Sequence, residues 1–194
     1  MIAIVKYNAG NITSVKNAIE RLGFSAVVTD DENLLKSAEK VIFPGVGEAS
    51  SAMKYIKEKG LDEVIKNLKQ PVLGICLGQQ LMCKFSEEGN TECLGIFDAN
   101  VKKFEQKLKV PHVGWNTISG LKSEIYNEIS VEEDFYFVHS FYSEICSETT
   151  AVCDYIVPFS ASMQKNNFYA TQFHPEKSSS VGEQLLLNFL KLNV

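Results

Sequence analysis

Four short apolar runs in the first 75 residues constrain the fold more than anything else in the chain. They read "IAIVK" (2–6), "SAVVT" (25–29), "KVIFP" (40–44) and "PVLGI" (71–75). Each is β-rich and apolar on both faces, the pattern of strands buried in a parallel sheet. Helical patterns fill the intervals. Val15, Ala18, Ile19 and Leu22 recur at i, i+3, i+4 and i+7 behind the polar start "NITS", and Gly23 supplies a stop. Met53 and Ile56, then Leu61, Val64, Ile65 and Leu68, predict a second helical stretch interrupted at Gly60. Strands alternating with helices require right-handed crossovers and a sheet covered on both faces.

After about residue 90 the texture changes to closely spaced short strands: "NVKKFE", "DFYFVHSFY", "TAVCDYIV", "FSASMQK" and "NFYATQF". Polar turns such as "QKNN" between them suit antiparallel pairing at one end of the sheet. A last helix is expected from Ser180 to Leu192, opened by a capping box Ser180-x-x-Glu183 and carrying Leu185, Leu186, Phe189 and Leu190 on one face. The fold class is therefore α/β: a flavodoxin-like three-layer arrangement with a mixed, mainly parallel central sheet and an antiparallel extension. No repeat or linker divides residues 1–194, so a single domain is expected, long enough to bury roughly two-thirds of its unfolded surface.

Composition narrows the function classes. The chain is 45% hydrophobic and 22% charged with a net charge of −5, and it has no cluster of Lys and Arg, which argues against nucleic-acid binding. No segment reaches the 18 apolar residues of a membrane span, and "MIAIVKYNAG" lacks the features of a signal peptide, so a cytoplasmic location is expected. Five cysteines, with no C-x-x-C pair among them, predict reduced thiols rather than a disulfide framework. No metal and no cofactor are expected, because the three histidines lack metal-ligand spacing to one another or to cysteine.

One cysteine stands apart. Cys76 ends the fourth apolar run between two glycines, Gly74-Ile75-Cys76-Leu77-Gly78. In an open α/β sheet, ligands bind beyond the carboxyl ends of the strands. The pattern G-x-C-x-G suits a sharp strand-to-helix turn that exposes a nucleophile, with a helix start favouring thiolate over thiol. A free cysteine is otherwise most often a small buried apolar residue. A nucleophile needs a base, and His174 in "TQFHPE" is the best placed: the following proline biases it to extended geometry, and Glu176 two residues on falls on the same side. That gives a Cys-His-Glu arrangement. His139 fits a structural strand or a substrate-binding edge, and His112 has no acid nearby.

"GICLGQQ" together with "FHPEKS" resembles the class I (triad-type) glutamine amidotransferases. "PGVG" (44–47), "PHVGWN" (111–116) and "FYFVHSFY" (135–142) narrow the resemblance to the glutaminase subunits of imidazole glycerol phosphate synthase, over nearly the whole chain. The resemblance implies that Cys76 attacks the glutamine carboxamide, His174 shuttles the proton and Glu176 orients His174. It implies an oxyanion hole from the Leu77 N–H and the Val46–Gly47 segment, with Gly45 and Gly47 allowing a peptide plane to rotate. Substrate contacts fall to Gly45, Gln80 and the backbone of Ser140 and Phe141. One departure from the family pattern is Gln79, where methionine is usual; it is expected to point away from the pocket.

A glutaminase alone would waste its ammonia. The resemblance implies a partner, a (β/α)8 cyclase subunit forming a heterodimer, with Asn11, Trp115 and Lys177 as interface candidates; Trp115 read without the resemblance is a half-buried core aromatic. Two other readings stand beside this one. Similar glutaminases can feed a different acceptor, such as a surface-sugar amidation enzyme, which only the partner distinguishes. A non-catalytic flavodoxin-like module is the third, and the intact Cys76, His174 and Glu176 argue against it.

Overall fold

The computed structural model describes residues 1–8 and 10–192. The first half runs β1 (Ile2–Val5), α1 (Ile12–Arg21), β2 (Ala26–Thr29), α2 (Glu32–Ser37), β3 (Lys40–Phe43), α3 (Ala49–Glu58), α4 (Leu61–Lys66), β4 (Val72–Ile75) and α5 (Leu77–Met82). The second half adds β5 (Phe85–Ser86), β6 (Thr91–Glu92), β7 (Asn100–Lys103), β8 (His112–Thr117), β9 (Asp134–His139), β10 (Phe141–Ser143), β11 (Thr149–Tyr155), β12 (Val157–Lys165), β13 (Phe168–Thr171) and α6 (Ser179–Leu190).

The central sheet has the order β11-β12-β13-β4-β3-β1-β2. From β13 to β2 every pair is parallel, and β12 joins β13 and β11 antiparallel, so the expected mixed sheet with its antiparallel extension is present, but "NVKKFE" and "DFYFVHSFY", expected at the end of that sheet, lie outside it in two smaller sheets, β10-β7-β5-β6 and β8-β9. Successive strand residues face opposite layers. Ala3, Val5, Val41, Phe43 and Val72 enter the core under α2 to α5, while Ile2, Ile4, Ile42, Leu73 and Ile75 enter the core shared with α1 and α6. Each such fully buried Val or Ile contributes about 1.5–3 kcal/mol, which fixes the register because a one-residue slip would exchange the two faces. No described helix is long and apolar enough to cross a membrane.

Three local features differ from the sequence reading. Helix α2 has no periodic stripe, since it is six residues long with Leu35 alone buried; Asp31 caps it by accepting from the Leu34 N–H at 2.9 Å. "PHVGWN" is strand β8, antiparallel to β9, and "DFYFVHSFY" breaks at Ser140 into β9 and β10. The capping box at Ser180 does not form. Helix α6 starts at Ser179 after Ser178, whose hydroxyl donates to the His174 carbonyl at 2.7 Å and accepts from the Tyr136 N–H at 3.0 Å. Glu183 instead reaches Arg21 of α1 at 3.2 Å. The serine that matters therefore ties the helix to the turn before it rather than to its own first turn.

Candidate active site

Strand β4 lies between β3 and β13, so Cys76 at its carboxyl end is flanked by the segments that follow those two strands. The flank after β3 is "PGVG", and the flank after β13 is "QFHPE". Cys76 has φ 53° and ψ −105°, a conformation rare for a residue with a side chain and worth about 1–3 kcal/mol of strain. The surroundings hold it there. Its N–H donates to the Thr171 carbonyl at 2.7 Å, and a Cβ on Gly78 would come within 1.9 Å of the Phe43 carbonyl oxygen. Only glycine at 78 lets α5 begin this close to β3.

His174 is buried, in extended backbone with φ −101°. Its Nδ1 lies 2.8 Å from Glu176 Oε1; a carboxylate accepts, so Nδ1 carries a proton and Nε2 is the nitrogen left for chemistry. Nε2 is buried with no hydrogen-bond partner among the described residues. Glu176 does not lie in an extended segment as the sequence suggested. It sits in a 3-10 turn, Pro175–Lys177, and the turn brings its carboxylate back under the imidazole. The Asn11 Nδ2 donates to the same oxygen. Burial opposes a charge on His174, but the nearby Cys76 sulfur and Glu176 outweigh it and raise the imidazole to about 10. The site favours an imidazolium beside the sulfur.

A cavity of about 260 Å³ opens over Cys76, lined by Val46, Gly47, Leu77, Gln80, Ser140 and Phe141 together with Glu88, Pro111, Val138 and His139. Gly45, expected to contact substrate, is not on its wall and packs against Tyr7, whose hydroxyl a Cβ there would meet at 2.1 Å. The Leu77 N–H, expected to face an oxyanion, donates to the Gly45 carbonyl at 3.2 Å, and the Val46 carbonyl accepts from the Gly10 N–H at 2.9 Å. Gln79 is buried and points away from the cavity, donating to the Ser160 carbonyl at 2.9 Å and to Ser143 Oγ at 3.3 Å.

Of the interface candidates, Trp115 and Lys177 share a patch. Trp115 is 53% exposed, not a core aromatic, and meets the Tyr136 ring edge-on at 5.9 Å, while the exposed Lys177 ammonium lies 6.0 Å from the same ring. Asn11 is half-buried and turns inward to Glu176.

Sequence reasoning missed two residues at the centre. Gln172 places Nε2 3.6 Å from Cys76 Sγ, and its position two before His174 at the end of an alternating strand was the available signal. Glu88 brings a carboxylate into the cavity; burial raises its pKa, the Ala49 N–H at 2.8 Å opposing this and Glu48 adding to it. In "SEEGN" nothing distinguishes it from its exposed neighbours.

A strained cysteine at a strand end, an imidazole and a carboxylate joined in sequence beside it, and a small cavity above are what amide hydrolysis through a thioester requires. The profile of the family described as glutamine amidotransferase class-I matches residues 4–192. The chain belongs to this family. It is 60% identical to the imidazole glycerol phosphate synthase subunit HisH of Bacteroides fragilis, over 98% of this chain and 99% of that one. It is 44% identical to the protein of the same name from Vibrio parahaemolyticus, over 98% of each. Among solved structures, a glutamine amidotransferase matches with a TM-score of 0.73 at 19% identity, covering 98% of this chain and 97% of that one. PurLQS from Thermotoga maritima matches with a TM-score of 0.74 at 16% identity, covering 97% of this chain and 96% of that one. These two share the fold of this amidotransferase.

Proposed function

We propose that this amidotransferase, working as one domain over residues 1–194 in the cytoplasm, hydrolyses L-glutamine and passes the ammonia to a separate (β/α)8 cyclase subunit that makes imidazole glycerol phosphate and AICAR. The observation that carries the chemistry is the Cys76 elbow with the His174–Glu176 pair beside it. The Cys76 sulfur attacks the side-chain carbonyl carbon of glutamine, and the carbonyl oxygen takes the negative charge. His174 then gives its Nε2 proton to the amide nitrogen, the C–N bond breaks and ammonia leaves a glutamyl thioester. Water, deprotonated by His174, attacks the thioester carbon; glutamate leaves and the thiol is restored. Backbone N–H groups of Leu77 and the Val46–Gly47 segment hold the oxyanion.

Recognition of the amino-acid end falls to Gln80 and the Ser140–Phe141 backbone, with the Glu88 carboxylate opposite the α-ammonium. For the partner, support comes from the word "subunit" in the names of both relatives and from the exposed Trp115 and Lys177. The test is a glutaminase assay with and without purified cyclase and its nucleotide substrate. Ammonia release confined to the assembled enzyme supports the proposal; stimulation by a different acceptor enzyme and none by the cyclase would replace the second half of it.

A further inference from the structure

One backbone carbonyl sets the polarity of a chain of hydrogen bonds that crosses the site. The Phe141 carbonyl oxygen lies 2.7 Å from His139 Nδ1 and accepts from Gln80 Nε2 at 2.8 Å. A carbonyl can only accept, so His139 carries its proton on Nδ1 and presents a lone pair at Nε2. That lone pair faces His112 Nδ1 at 3.0 Å, which must donate. The remaining His112 Nε2 then accepts from Asn116 Nδ2 at 3.4 Å. The other arm is fixed in the same way. Gln80 Nε2 also donates to Gln172 Oε1 at 3.0 Å, which leaves Gln172 Nε2 to donate to Cys76 Sγ at 3.6 Å.

The two rings are locked as well as paired. His112 stacks on Tyr155 with centroids 4.0 Å apart at 14°, and both histidines are buried. Burial lowers His112 to about 4 and His139 to about 3, the latter opposed by its bond to Phe141, so both stay neutral near pH 7.

Building on the glutaminase reading above, we propose that His112 and His139 are positioning residues: each held in one tautomer, they fix the Phe141 carbonyl and, through Gln80 and Gln172, direct an amide N–H at the Cys76 sulfur. An N–H donor favours the anionic form of the atom it points to, so breaking either arm makes the sulfur less reactive.

The test is the rate at which iodoacetamide alkylates Cys76 in the full chain at pH 7, followed by mass spectrometry of the Cys76 peptide, with melting temperatures recorded in parallel. His139→Phe and Gln172→Leu should each slow alkylation about tenfold, the size expected for one hydrogen bond to a charged group. His139→Asn, whose amide N–H₂ stands near the former Nδ1, should recover most of the loss. The double variant should be no slower than Gln172→Leu alone, because both act through one donor. Wild-type alkylation by a His139→Phe protein that melts normally overturns the proposal, as do additive losses in the double variant. If His139→Phe fails to fold, His112→Phe, which keeps a ring on Tyr155, gives the same reading. The glutaminase reading is judged separately: wild-type Cys76 should react with 6-diazo-5-oxo-L-norleucine and be protected by L-glutamine, and its failure there leaves the iodoacetamide comparison intact.

Discussion

Glu176 Oε1 is shared by His174 and Asn11, and this one atom decides what the imidazole can do. Glu176→Gln keeps the shape and removes the charge that helps raise His174. A group raised on folding stabilises the native state in full below its unfolded pKa, about 6.5, and the gain is lost as pH rises through the folded value, about 10. The stability advantage of wild type over Glu176→Gln should therefore be largest near pH 6 and shrink steadily toward pH 10 in thermal melts. An advantage that grows with pH would contradict the assignment. Cys76→Ser should lower glutamine hydrolysis by ~10⁴-fold or more with little change in melting temperature, since serine fits the same strained backbone and only the nucleophile weakens. Residual turnover near wild type would remove Cys76 from the mechanism. Cys76, His174 and Glu176 were legible because each is unusual in its local pattern. Gln172 was open to the same reading through its strand alternation with His174, whereas Glu88 and the inward turn of Asn11 were not, because they arise from contacts across 39 and 165 positions that no local pattern records.

At the scale of elements, the elbow depends on how closely α5 meets β3. A methyl at Gly78 would overlap the Phe43 carbonyl, and neither backbone can yield without shifting the sheet. Gly78→Ala should cost about 2–3 kcal/mol in denaturant unfolding and displace Cys76 enough to abolish activity. Loss of stability without loss of turnover would show that the elbow tolerates the shift. The strands β1, β3 and β4 were readable because burial on both faces leaves a run with no polar interruption, and the break at Gly60 because it is left-handed, with φ 67°. Strand β8 was hidden. Its outer residues alternate with buried His112, but Val113 and Trp115 are exposed, so the apolar pattern points to the wrong face.

For the molecule as a whole, the loop between β1 and α1 touches both halves of the site: Gly10 holds the Val46 carbonyl and Asn11 holds Glu176. In the present arrangement the Leu77 N–H is bonded to the Gly45 carbonyl, so an oxyanion beside Cys76 lacks that donor until the 45–46 peptide turns. Losing one oxyanion donor costs about 10²- to 10³-fold in rate. The isolated chain should accordingly turn glutamine over slowly, and kcat should rise by about that factor when cyclase and its nucleotide ligand are both present. Because the donor serves the transition state rather than glutamine itself, KM should change much less than kcat. An isolated chain already working at the rate of the assembly would mean that the Leu77 N–H is not the limiting donor, and that the segment after β3 does not gate the reaction.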